Sequence, residues 1–261
     1  MPALPFRRPA PELLIDLNAF LFPSGCVACR KPLPPRRPFG ICSDCRRRLL
    51  PITGPTCLRC RSESRQAAGF TAGRTCRDPD HAPFQVHAAV QMIDPADRLV
   101  HALKFHDRPE VGAMLAVFLA RRLKREGAAG WDVVMPMPLH RTRERARGYN
   151  QSAEIAARLA VSLGARLEAR ALNRVRSTRP QADLDHDRRG GNVEGAFRAA
   201  APPRGAGDQP LPERRGGGTV SGRRCLLVDD VATTGHTLLE ALGALQASAP
   251  GATGAAVFAL A

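Results

Sequence analysis

Apolar positions recur along this chain at two spacings, and the switches between them mark out its elements. Leu13, Leu14, Leu17, Phe20 and Leu21 lie on one face of a short amphipathic helix. Residues 85–92 predict a strand, and 95–105 a short helix with Leu99 and Leu103 turned inward. Val111, Met114, Leu115, Phe118 and Leu119 mark the next helix. Residues 131–135 then predict a buried strand, closed by Pro136 and Pro138. Ile155, Leu159 and Leu163 resume helical spacing, with Asn150 placed to cap that helix. A strand near Phe197 and another starting at Arg223 follow, and Leu238, Leu242 and Leu245 then fall at i, i+4 and i+7 of a last helix. Strands alternating with helices predict an α/β fold, a parallel sheet with helices on both faces. Such sheets bind ligands beyond the carboxyl ends of their strands.

Residues 226–237 carry the most chemistry. An apolar strand runs into Asp229 and Asp230, then into Ala232, Thr233, Thr234 and Gly235, then into a helix beginning near Thr237. A helix N-terminus preceded by glycine offers backbone N–H groups to a phosphate, and Thr233, Thr234 and Thr237 add hydroxyl donors. Two carboxylates one sugar's length away can accept ribose hydroxyl protons or help hold magnesium. A polar turn that caps a helix accounts for most isolated Asp-Asp pairs. It accounts poorly for strand, acid pair, hydroxyl loop and helix in this order. The segment predicts a site for a sugar 5′-phosphate.

Seven of the eight cysteines lie between positions 26 and 76. Cys26, Cys29, Cys42 and Cys45 form two Cys-x2-Cys pairs, a spacing that lets four thiolates converge on one zinc ion. Disulfides are the other use of paired cysteines, and a cytosolic chain disfavours them. Cys57 and Cys60 form a third pair, followed by Cys76 and His81. Two readings stay open there: a second zinc of the Cys3His type, or a buried thiol and a loop histidine. Cys225 sits inside an apolar strand and is assigned to the core.

Residues 138–151 follow the predicted strand end with Arg141, Arg143, Arg145 and Arg147 at alternating positions in a loop. Guanidinium forks suit phosphate and pyrophosphate, although a charge run is more often a solvated loop. Net charge is +15, with Lys31, Lys104 and Lys124 the only lysines. That surface suits a polyanion, while the scarcity of aromatics argues against a base-stacking platform. No apolar run approaches the ~18 residues of a membrane span, residues 111–120 being the longest, and no signal peptide is expected. The expected location is the cytoplasm, with peripheral contact at the inner membrane as the variant that the N-terminal helix allows.

These residues carry a family resemblance. Residues 226–237 resemble the phosphoribosyl pyrophosphate (PRPP) motif of type I phosphoribosyltransferases. The chain resembles the ComF competence-protein family, in which a zinc-ribbon-like N-terminus precedes a type I phosphoribosyltransferase-like domain. His140, Arg143, Arg147, Gly148, Tyr149, Asn150 and Gln151 match one hallmark of that family. Thr178, Gln181, Leu184, Arg189, Asn192, Gly195 and Phe197 match another. Two features depart from the pattern: three cysteines stand where the family shows a second set of four, and residues 199–222 form a long Pro/Gly/Arg-rich insert. Asp183, Asp185 and Asp187 alternate like metal ligands but flank a predicted helix and are assigned to solvent.

The resemblance implies a zinc-binding domain over 1–82 and a phosphoribosyltransferase-like domain over 83–261. It implies that Asp229 and Asp230 hold ribose, that Thr233, Thr234, Gly235 and Thr237 hold the 5′-phosphate with Ala232 in the same PRPP-binding stretch, and that Arg143 and Arg147 face pyrophosphate, with magnesium alongside PRPP. It further implies a role in DNA uptake during natural transformation, beside helicase-like and recombination-mediator partners and with single-stranded DNA. An active transferase with an unidentified acceptor is the alternative, and a nucleotide sensor a more distant one. The sequence names no nucleophile and no base.

Overall fold

A computed structural model of the chain describes residues 25–34, 40–59, 84–105, 109–128, 130–176, 195–200 and 220–261. The helix expected around Leu13–Leu21, the aspartates at 183, 185 and 187, and most of the 199–222 insert lie outside those residues. Helix α1 (Ser43–Arg48) and strand β1 (Thr56–Cys57) lead into β2 (Gln85–Gln91), α2 (Ala96–Phe105) and α3 (Pro109–Arg125). Then come β3 (Val133–Pro136), α4 (Arg141–Arg147), α5 (Gln151–Leu163) and the short strands β4 (Arg166–Leu167), β5 (Leu172–Arg174) and β6 (Phe197–Ala199). Strand β7 (Arg224–Ala232), helix α6 (His236–Gln246) and strand β8 (Ala252–Leu260) close the chain.

The main sheet has the order β1-β2-β8-β7-β3-β4, and β5 pairs with β6 in a separate antiparallel ribbon. All pairings from β2 to β4 are parallel, and only β1 is antiparallel. Side chains alternate across the sheet, as a period of two requires. On β7, Leu226 and Val228 face one core, while Cys225 and Leu227 face the other. The first core is closed by α2, α3 and α5 and the second by α6 with the β5–β6 ribbon, whose Leu99, Leu119, Ile155, Leu238 and Leu242 are almost fully buried. Sheet and helices thus form the expected α/β architecture.

Strand β8 is absent from the expectations above, because its Ala-Thr-Gly-Ala-Ala start has little hydrophobic amplitude. Small residues suit a strand covered on both faces. A Cβ at Gly254 would come within 2.8 Å of the Trp131 ring, so the missing side chain makes room for the indole. Residues 141–147, expected as a loop, form a helix instead, because His140 Nδ1 accepts the Thr142 N–H as its cap and Gly148 closes it at φ 78°. Pro136 ends β3 from inside the strand.

The cysteine-bearing segment is tied to the sheet edge: Ile52 N–H donates to Ala89 O, and Gln91 N–H to Leu50 O. Among the described residues, no helix is long and apolar enough to cross a membrane.

Helices α3 and α5 meet at Gly112, where an added Cβ would lie 2.8 Å from Glu154 Cβ. Gly112→Val should therefore overpack the contact and cost about 1–3 kcal/mol, read from urea unfolding. An unchanged unfolding midpoint would contradict the packing described.

Candidate functional site

Strands β3 and β7 are neighbours in parallel register, with Pro136 opposite Val228, so the segments that leave them emerge side by side. Met137 N–H donates to Val228 O at 2.7 Å and holds the two exits together. Asn150 then pins the β3 segment: its Nδ2 donates to Met137 O at 3.0 Å, and its Oδ1 accepts the Ser152 N–H at 3.0 Å as the cap of α5. The cap expected from sequence is in place.

Capping α5 places Ser152 against the acid pair. Ser152 Oγ donates to Asp229 Oδ1 at 2.7 Å, and the backbone N–H of Asp230 donates to the same oxygen at 2.9 Å. Asp230 is buried and pairs through Oδ2 with Lys104 Nζ of α2 at 3.1 Å. Tyr149 Oη donates to Leu103 O, fixing the helix that carries Lys104. Desolvation and the adjacent Asp230 charge push the half-buried Asp229 up from 3.8 to about 7, although Ser152, the Asp230 N–H and Lys104 pull the other way.

The hydroxyl-rich loop follows at once. Ala232 is buried. Thr233 is exposed, while Thr234 and Thr237 are half-buried. Gly235 is the N-cap of α6 at φ 74° and supplies no side-chain cap, leaving the helix start to be met by another acceptor. A Cβ there would lie 2.8 Å from Leu58 Cδ2, so the segment after Cys57 packs directly on this loop.

Arg143 and Arg147 are half-buried on α4. A third arginine, which the sequence did not single out, couples to Arg143. Arg174 ends β5 opposite Phe197, and its guanidinium stacks over that ring at 5.3 Å. Burial and the Arg143 charge lower its pKa, and Asp229 opposes them, which sets Arg143, Arg174 and Asp229 in one field. Lys104, Ser152 and Arg174 gave no sequence signal of their own, since each reaches the site from a different element. Thr178, Gln181, Leu184, Arg189 and Asn192 lie outside the described residues, whereas Gly195 and Phe197 are described.

The sulfurs of Cys26, Cys29, Cys42 and Cys45 all lie within 4.8 Å of one another, and Cys29 Sγ and Cys42 Sγ are 3.7 Å apart. With Zn–S bonds of ~2.3 Å, tetrahedral thiolates stand near that separation. Burial works against a thiolate at Cys26, yet backbone N–H groups led by that of Cys42 bring it down to about 7. Burial and the neighbouring thiols push Cys45 well above its ordinary range, a repulsion that a divalent cation relieves. The donor set fits zinc. Cys57 is buried, and Cys60, Cys76 and His81 lie outside the described residues.

Comparison with known proteins agrees with both halves. Residues 17–78 match the double zinc ribbon domain, and residues 111–260 match the phosphoribosyl transferase domain. The DNA utilization protein YhgH of Salmonella typhimurium is 32% identical, the match covering 84% of this chain and 88% of that protein. Its Escherichia coli K12 counterpart is 31% identical with the same coverage. Competence protein F of Haemophilus influenzae is 28% identical over 86% of this chain and 90% of its own. The ribbon match and the four-cysteine cluster together support a structural zinc.

Cys45→Ser should lower zinc content by about one ion per chain in elemental analysis of purified protein; unchanged stoichiometry would refute a four-thiolate site. Asp229 gives a pH test. Its folded pKa is raised, so its contribution to stability is full below about pH 4 and is lost as pH rises through about 7. Asp229→Asn removes that loss and should raise the melting temperature more at about pH 8 than at about pH 5.5. An equal shift at both would contradict the burial argument.

Proposed function

The chain belongs to the ComF family, a double zinc ribbon joined to a phosphoribosyltransferase domain, and from that premise we propose that it binds PRPP or a related ribose 5-phosphate ligand where β3 and β7 end and acts in DNA uptake during natural transformation. The observation that carries this reading is the acid pair held by Ser152 and Lys104 beside a helix start without a side-chain cap. A 5′-phosphate takes the α6 N–H groups with Thr233, Thr234 and Thr237, and the ribose hydroxyls donate to Asp229 and Asp230. Ser152 and Lys104 keep both carboxylates oriented before the sugar arrives. Magnesium, bound with PRPP, would share the diphosphate charge with the cationic side chains.

The family context supports the cellular role. Relatives carry the names DNA utilization protein and competence protein, and the +15 charge suits work near single-stranded DNA and its helicase-like and recombination-mediator partners. Residues 1–82 then serve as the zinc-binding lobe and 83–261 as the ligand-binding domain.

One observation favours the alternative, an active transferase with an unidentified acceptor. Arg143 and Arg174 lie close enough to interact, and Arg174 also feels the charge of Asp229. In that position they would stabilise the diphosphate as its bond to C1′ breaks and charge builds on the ribose. Pyrophosphate release from PRPP with a nucleobase or amine would select this reading.

Asp229→Asn combined with Asp230→Asn should abolish magnesium-dependent PRPP binding in calorimetry while leaving zinc content unchanged. Binding of undiminished strength would remove the site assignment.

A further inference from the structure

A second cleft, of about 450 Å3, lies between α1, the strand β2 and α3, and it shares no residue with the ribose-phosphate site. Its floor is a buried ion pair. Arg122, with a side chain 9% exposed, pairs with Glu126 and donates to Ala88 O and Gly54 O, each at 3.0 Å. Glu126 also meets His87 Nδ1 at 2.8 Å. The floor is thus balanced within itself, and the charge of the rim is left over.

That rim is made of three exposed arginines from two parts of the chain: Arg46 on α1, and Arg121 and Arg125 one turn apart on α3. Among the described residues none of the three is paired with a carboxylate. Like charges at i and i+4 disfavour a helix, a cost that a bound anion would reverse. Ile52, Val90 and Phe118 supply an apolar wall beside the cations. A volume of this size suits a small molecule, within the ~300–1,000 Å3 usual for ligand sites. An extended nucleic-acid strand would instead ask for a track of cations interleaved with several aromatics, and among the described residues Phe118 is the one aromatic lining the cleft.

We propose that this cleft binds a nucleoside polyphosphate, with its phosphates across Arg46, Arg121 and Arg125 and its base against the wall of Ile52, Val90 and Phe118. The ligand bridges the cysteine-bearing lobe to α3. Through Gly112 and Glu154, α3 packs on the helix that begins beside Ser152, so the bound nucleotide braces the far side of the ribose-phosphate site.

The test uses the full-length, zinc-loaded protein with saturating ribose 5-phosphate, so that the first site is filled. ATP, inorganic triphosphate and an oligo-dT strand are titrated in turn by calorimetry. ATP should bind, and inorganic triphosphate should bind about tenfold more weakly because it lacks the base. Arg121→Gln with Arg125→Gln should weaken ATP at least about tenfold, and so should Arg46→Glu in the other lobe, while PRPP affinity and zinc content stay as they were. The proposal is overturned if ATP does not bind, if its affinity is the same in both variants, or if triphosphate binds as tightly as ATP. It is equally overturned if only the oligo-dT responds to these substitutions, which would make the cleft part of a strand-binding track.

Discussion

Two adjacent carboxylates lie near the carboxyl end of a strand whose preceding residues are wholly buried, and the surrounding structure is arranged to tolerate them. Leu226, Leu227 and Val228 have no exposed surface, so Asp229 and Asp230 follow them within the sheet in a poorly solvated position. Water cannot meet their demand for donors, and the protein meets it from a distance in sequence: Lys104 comes from α2 and Ser152 from α5. Both helices lie on the same face of the sheet. Their placement depends in turn on the capping of α5 by Asn150 and on the Tyr149 bond to Leu103. Desolvation and the adjacent Asp230 charge still hold Asp229 up at about 7.

Close approach is the second theme. Gly112 brings α3 onto α5, Gly254 admits the Trp131 ring, and Gly235 receives Leu58. The last contact matters most for function, because Leu58 follows Cys57 directly. A segment of the cysteine-rich region therefore rests on the loop assigned to the phosphate. A lobe this small gains little from burial of apolar area, and a four-thiolate zinc can supply the missing folding energy, ~10–16 kcal/mol apparent in zinc-finger peptides. Folding of the ribbon and the shape of the 233–235 loop are in that sense one problem.

Local signals were readable and long-range ones were not. The helix through Leu238, Leu242 and Leu245, the buried strand that carries Asp229 and the cap at Asn150 were all visible, since each rests on spacing within a few residues. Strand β8 escaped because alanine and glycine carry no periodic contrast. The 141–147 stretch read as a loop because its arginines mask the cap that His140 supplies. Lys104, Ser152 and Arg174 could not be placed from sequence, as their chemistry exists only once three separate elements meet the end of β7. The cysteine tetrad was legible for the opposite reason: ligand spacing is itself a local pattern.

The central claim is that the end of β7 and the start of α6 form a ribose-phosphate site. Amide hydrogen exchange, followed by mass spectrometry with and without ribose 5-phosphate, tests it most directly. Bound ligand should slow exchange at the amides of residues 233–238 and at those around Ser152, whereas ribose without phosphate should protect neither the loop nor the helix start. Protection elsewhere, with residues 233–238 unchanged, would contradict the account.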